Sequence, residues 1–103
     1  MRVEHVCWEG AAPATEPDLR ARLAGDGFDA HLWRDEPGAY YAPHSHECDE
    51  RLWLLDGEMT FEVAGRSYRL GPGERLELPA GTRHAATAGP GGATYLIGER
   101  TRG

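Results

Sequence analysis

His44 and His46 stand one residue apart, and this spacing is the first feature of the sequence that suggests chemistry. On an extended strand, residues two positions apart point to the same face, so the two imidazoles would lie side by side. Paired imidazoles are a common start for a metal site. Glu50 follows four positions after His46, and a turn over residues 47–49 would bring its carboxylate back toward the rings. His84 is distant in sequence, but the strand ends of a β-barrel can converge, which makes it a further candidate ligand.

The rest of the chain contains the short strands that such a barrel needs. Its 14 glycines and 7 prolines exceed the ordinary share and favour a fold with many turns. Apolar or alternating runs of strand length recur between turn signals spaced about eight to twelve residues apart, which is typical of an all-β sandwich or barrel. The predicted strands cover residues 28–33, 52–55, 59–64, 67–70, 75–78, 84–88 and 94–97.

One short helix is predicted near the N-terminus. Thr15 is a candidate N-cap, because Asp18 stands three positions later as in a capping box. Gly25 is expected to end the helix. Leu19 and Leu23 lie one turn apart and form an apolar stripe that is too narrow for a core helix. The helix is therefore expected to lie on the outside of the barrel.

In the predicted strand that starts at Glu50, alternate residues should point to opposite faces of the sheet. Leu52 and Leu54 share the parity of Glu50 and are expected to line the barrel. Trp53 and Leu55 would then face outward, where the N-terminal helix or another subunit must cover them.

Two blocks of the sequence resemble the two-motif signature of the cupin superfamily. Residues 38–57 follow the pattern G-x5-H-x-H-x3-E-x6-G, and residues 73–88 follow G-x5-P-x-G-x2-H-x3-A. Only Ala88 departs from the signature, which often has Asn at this position. Both motifs in order are a far more specific signal than a lone H-x-H, and together they span about half of the chain. The matching residues are Gly38, His44, His46, Glu50, Gly57, Gly73, Pro79, Gly81 and His84.

The length of 103 residues predicts a single domain over residues 1–103, and the resemblance implies that it folds as a double-stranded β-helix, or jelly-roll barrel. The resemblance also implies a homodimer built partly from N-terminal strands, and residues 2–8 could form such a strand. The metal ligands of the family correspond to His44, His46, Glu50 and His84. Three neutral nitrogens and one carboxylate suit one divalent transition metal, which could be Fe, Mn, Ni, Co, Cu or Zn. Four protein ligands on a six-coordinate ion leave two positions open, as a catalytic metal requires. The alternative is a polar surface patch on a barrel that has lost its metal.

The expected function is that of a mononuclear metal-dependent enzyme of the dioxygenase, isomerase or lyase type. Its substrate would be a small organic molecule that chelates the ion at the open positions. The alternatives are a non-catalytic module that binds or senses a small molecule, and a domain that the metal only stabilises. The motifs fix no general acid or base, so the catalytic residues are unknown. Candidate walls of the pocket are Tyr40, Tyr41, Met59, Phe61 and Tyr95.

Charge and composition exclude several other classes of protein. The formal net charge of −6 argues against a nucleic-acid partner and gives no reason to expect attraction to an anionic membrane. No apolar run approaches the length of a membrane helix, which is about 18 residues or more. The first ten residues lack the apolar region of a secretory signal, so a cytoplasmic location is expected.

The remaining histidines and cysteines are expected to have ordinary roles. His5 and His31 lie outside both motifs and are interpreted as surface histidines rather than ligands. Cys48 stands between His46 and Glu50 and is interpreted as a turn residue, with a fifth ligand or a redox-sensitive thiol as the alternatives. Cys7 is expected to be a small packing residue. Two cysteines are too few for a disulfide scaffold.

Overall fold

The chain folds into antiparallel β-strands with one helix, as the sequence predicted. A computed structural model describes residues 1–101. Its strands form a seven-stranded sheet in which β1, β6, β4, β7 and β2 are neighbours in that order, β3 pairs with β7, and β5 pairs with β4. The elements are β1 (Glu4–Val6), α1 (Glu16–Gly25), β2 (Asp29–Asp35), β3 (Tyr40–His44), β4 (Asp49–Val63), β5 (Arg66–Leu70), β6 (Arg75–Leu78) and β7 (His84–Arg100).

The two long strands β4 and β7 turn this sheet into a jelly roll. The first half of β4 pairs with β6 and with the end of β7, whereas its second half pairs with β5 and with the start of β7. The register shifts twice around Asp56 and Gly57, and such irregularities bend a strand. The sequence predicted separate strands at 52–55 and 59–64 and at 84–88 and 94–97. That prediction was wrong because each pair is one continuous strand that bends rather than stops.

The barrel interior is apolar and follows the predicted alternation. Leu52 and Leu54 face inward and are at most 5% exposed, as expected. They pack in one cluster with residues of both sheet halves, and the cluster also holds Met59, Phe61, Val63, Leu70, Leu76, Leu78, Ala86, Ala88, Ala93 and Tyr95. Burial of these side chains is the main favourable contribution to the stability of the barrel.

The helix α1 covers the outer face of the sheet. Thr15 is its N-cap and accepts a hydrogen bond from the Asp18 N–H at 3.4 Å, as predicted. Leu19 and Leu23 are fully buried and pack against Trp53 in a second cluster that includes Phe28 and Leu96. Leu55 also packs against this cluster. The helix of the same chain therefore covers the outward apolar residues of β4.

The N-terminal strand β1 pairs within its own chain. Its residues Glu4–Val6 lie antiparallel to β6, with His5 opposite Leu76. The homodimer stays a prediction, but two observations remove support for it. β1 already pairs within its own chain, and Trp53 is only 2% exposed, so no second subunit is needed to cover it. Among the described residues, no helix is long and apolar enough to cross a membrane.

Gly57 lies at the bend of β4, and we expect its replacement by alanine to destabilise the barrel by more than about 2 kcal/mol. Its φ is +78°, and a Cβ would lie only 2.2 Å from the Gly92 carbonyl oxygen of β7. The matched control is Gly38→Ala, where φ is +73° and nothing lies within 4 Å of the added carbon. Urea unfolding should show a larger loss for Gly57→Ala than for Gly38→Ala. Equal losses would contradict the close strand approach.

Candidate metal centre

The structure brings the three motif histidines to one end of the barrel. His44 ends β3 and is paired in register with His84, the first residue of β7, so their ring centroids lie 4.5 Å apart. The His46 ring lies 4.8 Å from His44 and 5.5 Å from His84. His46 follows two residues after β3, so the expectation that one strand carries both His44 and His46 was wrong. The loop nevertheless turns its ring toward the other two.

Backbone carbonyls fix which nitrogen of two rings faces the centre. His44 Nδ1 is 2.6 Å from the Ala42 carbonyl oxygen, and His84 Nδ1 is 2.9 Å from the Thr82 carbonyl oxygen. Because a carbonyl oxygen only accepts, each Nδ1 carries the proton and donates it. The Nε2 lone pair of each neutral ring is then free to bind a ligand. Metal-binding histidines in proteins are usually oriented in this way.

Glu50 adds a buried carboxylate next to the rings. It is the second residue of β4 and is 6% exposed. Its Oε1 lies 3.5 Å from His46 Nε2 and 3.8 Å from His84 Nε2. Burial, together with the charge of the adjacent Glu99, raises the pKa of Glu50 to about 7. A cation at the centre would compensate this unfavourable burial of negative charge.

The donor set therefore fits a divalent transition metal. Burial lowers the pKa of both His46 and His84, and the neighbouring His44 lowers them further, although a hydrogen bond to Thr82 partly opposes this at His84. His46 and His84 are thus favoured in the neutral form that binds metals. The ligand nitrogens of the three histidines all lie within 4.8 Å of one another, so one ion could contact all of them.

A cavity of about 270 Å³ opens from this centre into the barrel. Its walls are mostly apolar, so a bound molecule would be shielded from water on several sides. Four of the predicted wall residues line it, but Tyr40 is 64% exposed and does not. The lining residues beyond the motif are Trp33, Tyr41, Leu52, Met59, Phe61, Ala86, Tyr95, Ile97 and Glu99.

Sequence reasoning missed a hydrogen-bonded group centred on Asp35. The Tyr41 and Tyr95 hydroxyls donate to its two carboxylate oxygens at 2.5 Å and 2.6 Å, and Trp33 Nε1 donates at 3.0 Å. Burial and the hydrogen bond to Asp35 raise the pKa of Tyr95, and the hydrogen bond to Asp35 and burial raise the pKa of Tyr41, so both hydroxyls stay protonated. Asp35 lies two residues beyond the predicted strand at residues 28–33. Its shared parity with Trp33 on β2 was the signal that could have placed it on the inner face.

The other histidines and cysteines differ partly from expectation. His31 is exposed and lies outside the centre, as predicted. Cys48 lies in the bend before β4, as predicted, with its Sγ 3.6 Å from Glu99 Oε2. The interpretation of Cys7 as a packing residue was wrong, because Cys7 is exposed and donates to Glu74 Oε2 at 3.3 Å. Arg51 lies on the outer face of β4 and pairs there with Asp26 and Glu77.

Comparisons with known proteins agree with this fold. The chain is 36% identical over 64 residues to dimethylsulfoniopropionate lyase DddQ of Ruegeria pomeroyi. The aligned region covers 61% of this chain and 32% of the lyase. It is 34% identical over 61 residues to an acireductone dioxygenase of Tuber melanosporum, covering 54% of this chain and 35% of that protein. The chain thus spans about a third of the length of these relatives.

Solved structures show the same architecture. The crystal structure of DddQ superimposes with a TM-score of 0.66 at 32% identity, covering 73% of this chain and 39% of that chain. The structure of KdgF from Halomonas sp. gives a TM-score of 0.63 at 28% identity, covering 74% and 72% of the two chains. The family model of the cupin domain matches residues 31–96, which include most of β2, all of β3 to β6 and most of β7. On these grounds the chain belongs to the cupin family.

Proposed function

We propose that this cupin binds one divalent transition metal through His44, His46, Glu50 and His84 and uses it to transform a small organic molecule. The observation that carries the proposal is the convergence of three histidine rings and one buried carboxylate at the end of a cavity. Four ligands would leave two positions of a six-coordinate ion open. The substrate is proposed to bind there as a chelate.

The size and lining of the cavity limit the substrate to a small molecule. A volume of about 270 Å³ lies just below the usual range for drug-sized ligands, which starts at about 300 Å³. The walls are mostly apolar, and the metal would supply Lewis-acid or redox chemistry when bound. Both the Tyr41 and the Tyr95 hydroxyl donate their protons to Asp35, and the Tyr41 oxygen also accepts from Trp33 Nε1 at 3.2 Å. The Tyr95 oxygen is therefore proposed as the acceptor for an O–H or N–H group of the substrate.

Two relatives bear on the reaction class. One is named as a lyase and the other as a dioxygenase, and both match this chain at more than a third identity. For this reason we favour lyase or dioxygenase chemistry over isomerisation. The homodimer, the cytoplasmic location and the single-domain organisation over residues 1–103 stay predictions.

A turnover screen tests the proposal. The metal-free protein is loaded separately with Fe, Mn, Ni, Co, Cu or Zn, and each form is incubated with dimethylsulfoniopropionate, with an acireductone under air, and with small hydroxy and keto acids. We expect substrate consumption with at least one metal, which His46→Ala abolishes and His31→Ala retains. Tight binding of a molecule without its consumption by any metal form would contradict the enzyme and favour a sensing module.

A further inference from the structure

A second cluster of metal-ligating side chains lies outside the cavity, where β1 meets the turn between β5 and β6. His5 Nε2 is 3.5 Å from Glu74 Oε2, and Cys7 Sγ is 3.3 Å from the same oxygen. The ligand atoms of the three residues all lie within 4.8 Å of one another. We propose that His5, Cys7 and Glu74 form a second metal site, which binds a divalent ion of borderline softness such as Zn²⁺.

The distances between these ligand atoms suit a tetrahedral zinc site. Bonds of about 2.3 Å to sulfur and about 2.0–2.2 Å to nitrogen and oxygen place ligand atoms about 3.4–3.6 Å apart in a tetrahedron. The observed distances from Glu74 Oε2 to His5 Nε2 and to Cys7 Sγ, 3.5 Å and 3.3 Å, are close to these values. The third pair, His5 Nε2 and Cys7 Sγ, lies within 4.8 Å, so one ion can contact all three atoms once rotation of the exposed Cys7 side chain brings its sulfur to the tetrahedral distance.

Each ligand atom is available for this role. The Nε2 atom of His5 is buried, and its 3.5 Å contact with Glu74 Oε2 is too long to count as a hydrogen bond among the described residues. A metal would give this nitrogen a closer partner. The Gly71 N–H donates to Glu74 Oε1 at 2.6 Å, which orients the carboxylate and leaves Oε2 for the ion. Cys7 is exposed, so an ion can reach its sulfur from solvent.

The backbone holds the three residues together before any ion binds. Val6 at the end of β1 pairs with Arg75 at the start of β6. Cys7 directly follows β1 and Glu74 directly precedes β6, so the ladder places them side by side. Trp8 lies against Gly73, where an added Cβ would be only 2.6 Å from the Trp8 Cβ. Trp8 follows Cys7 in the chain and Gly73 precedes Glu74, so the packing of Trp8 on Gly73 keeps these two ligands close together. Such preorganisation lowers the entropic cost of binding an ion.

The binding step exchanges a proton for the metal. The Cys7 thiol donates a hydrogen bond to Glu74, and on binding it would release its proton to the solvent while the thiolate forms the bond to the ion. Three protein ligands leave the fourth tetrahedral position for water or another small ligand. Cys7 also makes the site distinguishable by spectroscopy, because the proposed ligands at the barrel centre include no sulfur.

Titration of the full-length, metal-free protein with cobalt chloride under reducing conditions tests the proposal. Cobalt replaces zinc in tetrahedral sites, and a thiolate bound to it gives a charge-transfer absorption in the near ultraviolet. We expect this absorption in the unaltered protein and its loss in Cys7→Ser. The serine keeps the size of an exposed side chain, so the fold should survive, and circular dichroism checks that it does.

Two further variants separate this site from the barrel centre. Cys48→Ser removes the cysteine beside that centre, and His46→Ala removes one of the centre's proposed ligands; both should retain the absorption. If no absorption develops, or if Cys7→Ser retains it, the second site is overturned. Loss of the absorption in Cys48→Ser would also overturn it, since the thiolate ligand would then be Cys48. Failure of the barrel centre to bind metal would leave the Cys7-dependent absorption unchanged.

Discussion

Replacing His46 with alanine is expected to weaken binding of a divalent transition metal at the barrel centre by at least about 100-fold. Even the loss of a group that only orients a ligand typically costs 10–100-fold in affinity, and a ligand itself should cost more. The His46 side chain is 41% exposed and lies in a loop, so its removal should leave the fold intact. Isothermal titration calorimetry with the chloride of each candidate metal measures the change.

The matched control for this variant is His31→Ala. It also removes one histidine, but His31 is exposed and lies outside the cavity, so the affinity should change by less than about 2-fold. The proposed second metal site at Cys7 should bind metal equally in both variants. Measuring both variants in a Cys7→Ser background removes its contribution to the titration. Equal affinity of His46→Ala and His31→Ala would contradict the assignment of His46 as a ligand.

Replacing Trp53 with alanine is expected to destabilise the protein by about 3–5 kcal/mol, the usual cost of truncating a large buried aromatic. The Trp53 side chain is 2% exposed and joins the sheet to the helix through Leu19 and Leu23. Its Nε1–H also donates to the Gly73 carbonyl oxygen at 2.9 Å, which alanine would leave without that partner. A domain of this size should then lose roughly 12 °C or more in Tm.

The control uses another tryptophan of the same chain. Trp33 is 49% exposed, so Trp33→Ala should cost less than about 1 kcal/mol in urea unfolding. A third variant, Trp53→Phe, retains most of the buried apolar area but loses the hydrogen bond to Gly73, and should fall between the other two. A loss for Trp53→Ala no larger than for Trp33→Ala would show that the helix does not depend on Trp53 for its packing.

Much of the fold could be predicted because the period of apolar residues and the spacing of capping residues are signals local in the sequence. Thr15 and Asp18 identified the start of the helix, and the parity of Leu52 and Trp53 assigned the two faces of β4. The continuity of β4 could not be predicted, since Gly57 looks the same whether a strand stops or bends there. Only its pairing with β7 distinguishes the two cases, and that pairing joins residues distant in sequence.

The candidate site depended more on the two-motif spacing than on any single residue. His44 and His84 are 40 positions apart, yet they are directly opposite each other in the ladder of β3 and β7. The roles of Asp35 and Cys7 could not be read from the motifs, because both act through partners far along the chain. Tyr95 reaches Asp35 from β7, and Glu74 reaches Cys7 from the turn before β6.

The most direct measurement is anomalous X-ray diffraction from crystals of the protein loaded with one transition metal. Data collected on both sides of that metal's absorption edge locate the ion independently of any assumed ligand. We predict a peak about 2.0–2.2 Å from a ring nitrogen of His44, His46 and His84 and from a Glu50 oxygen. A fully loaded crystal with no peak among these four side chains would contradict the account.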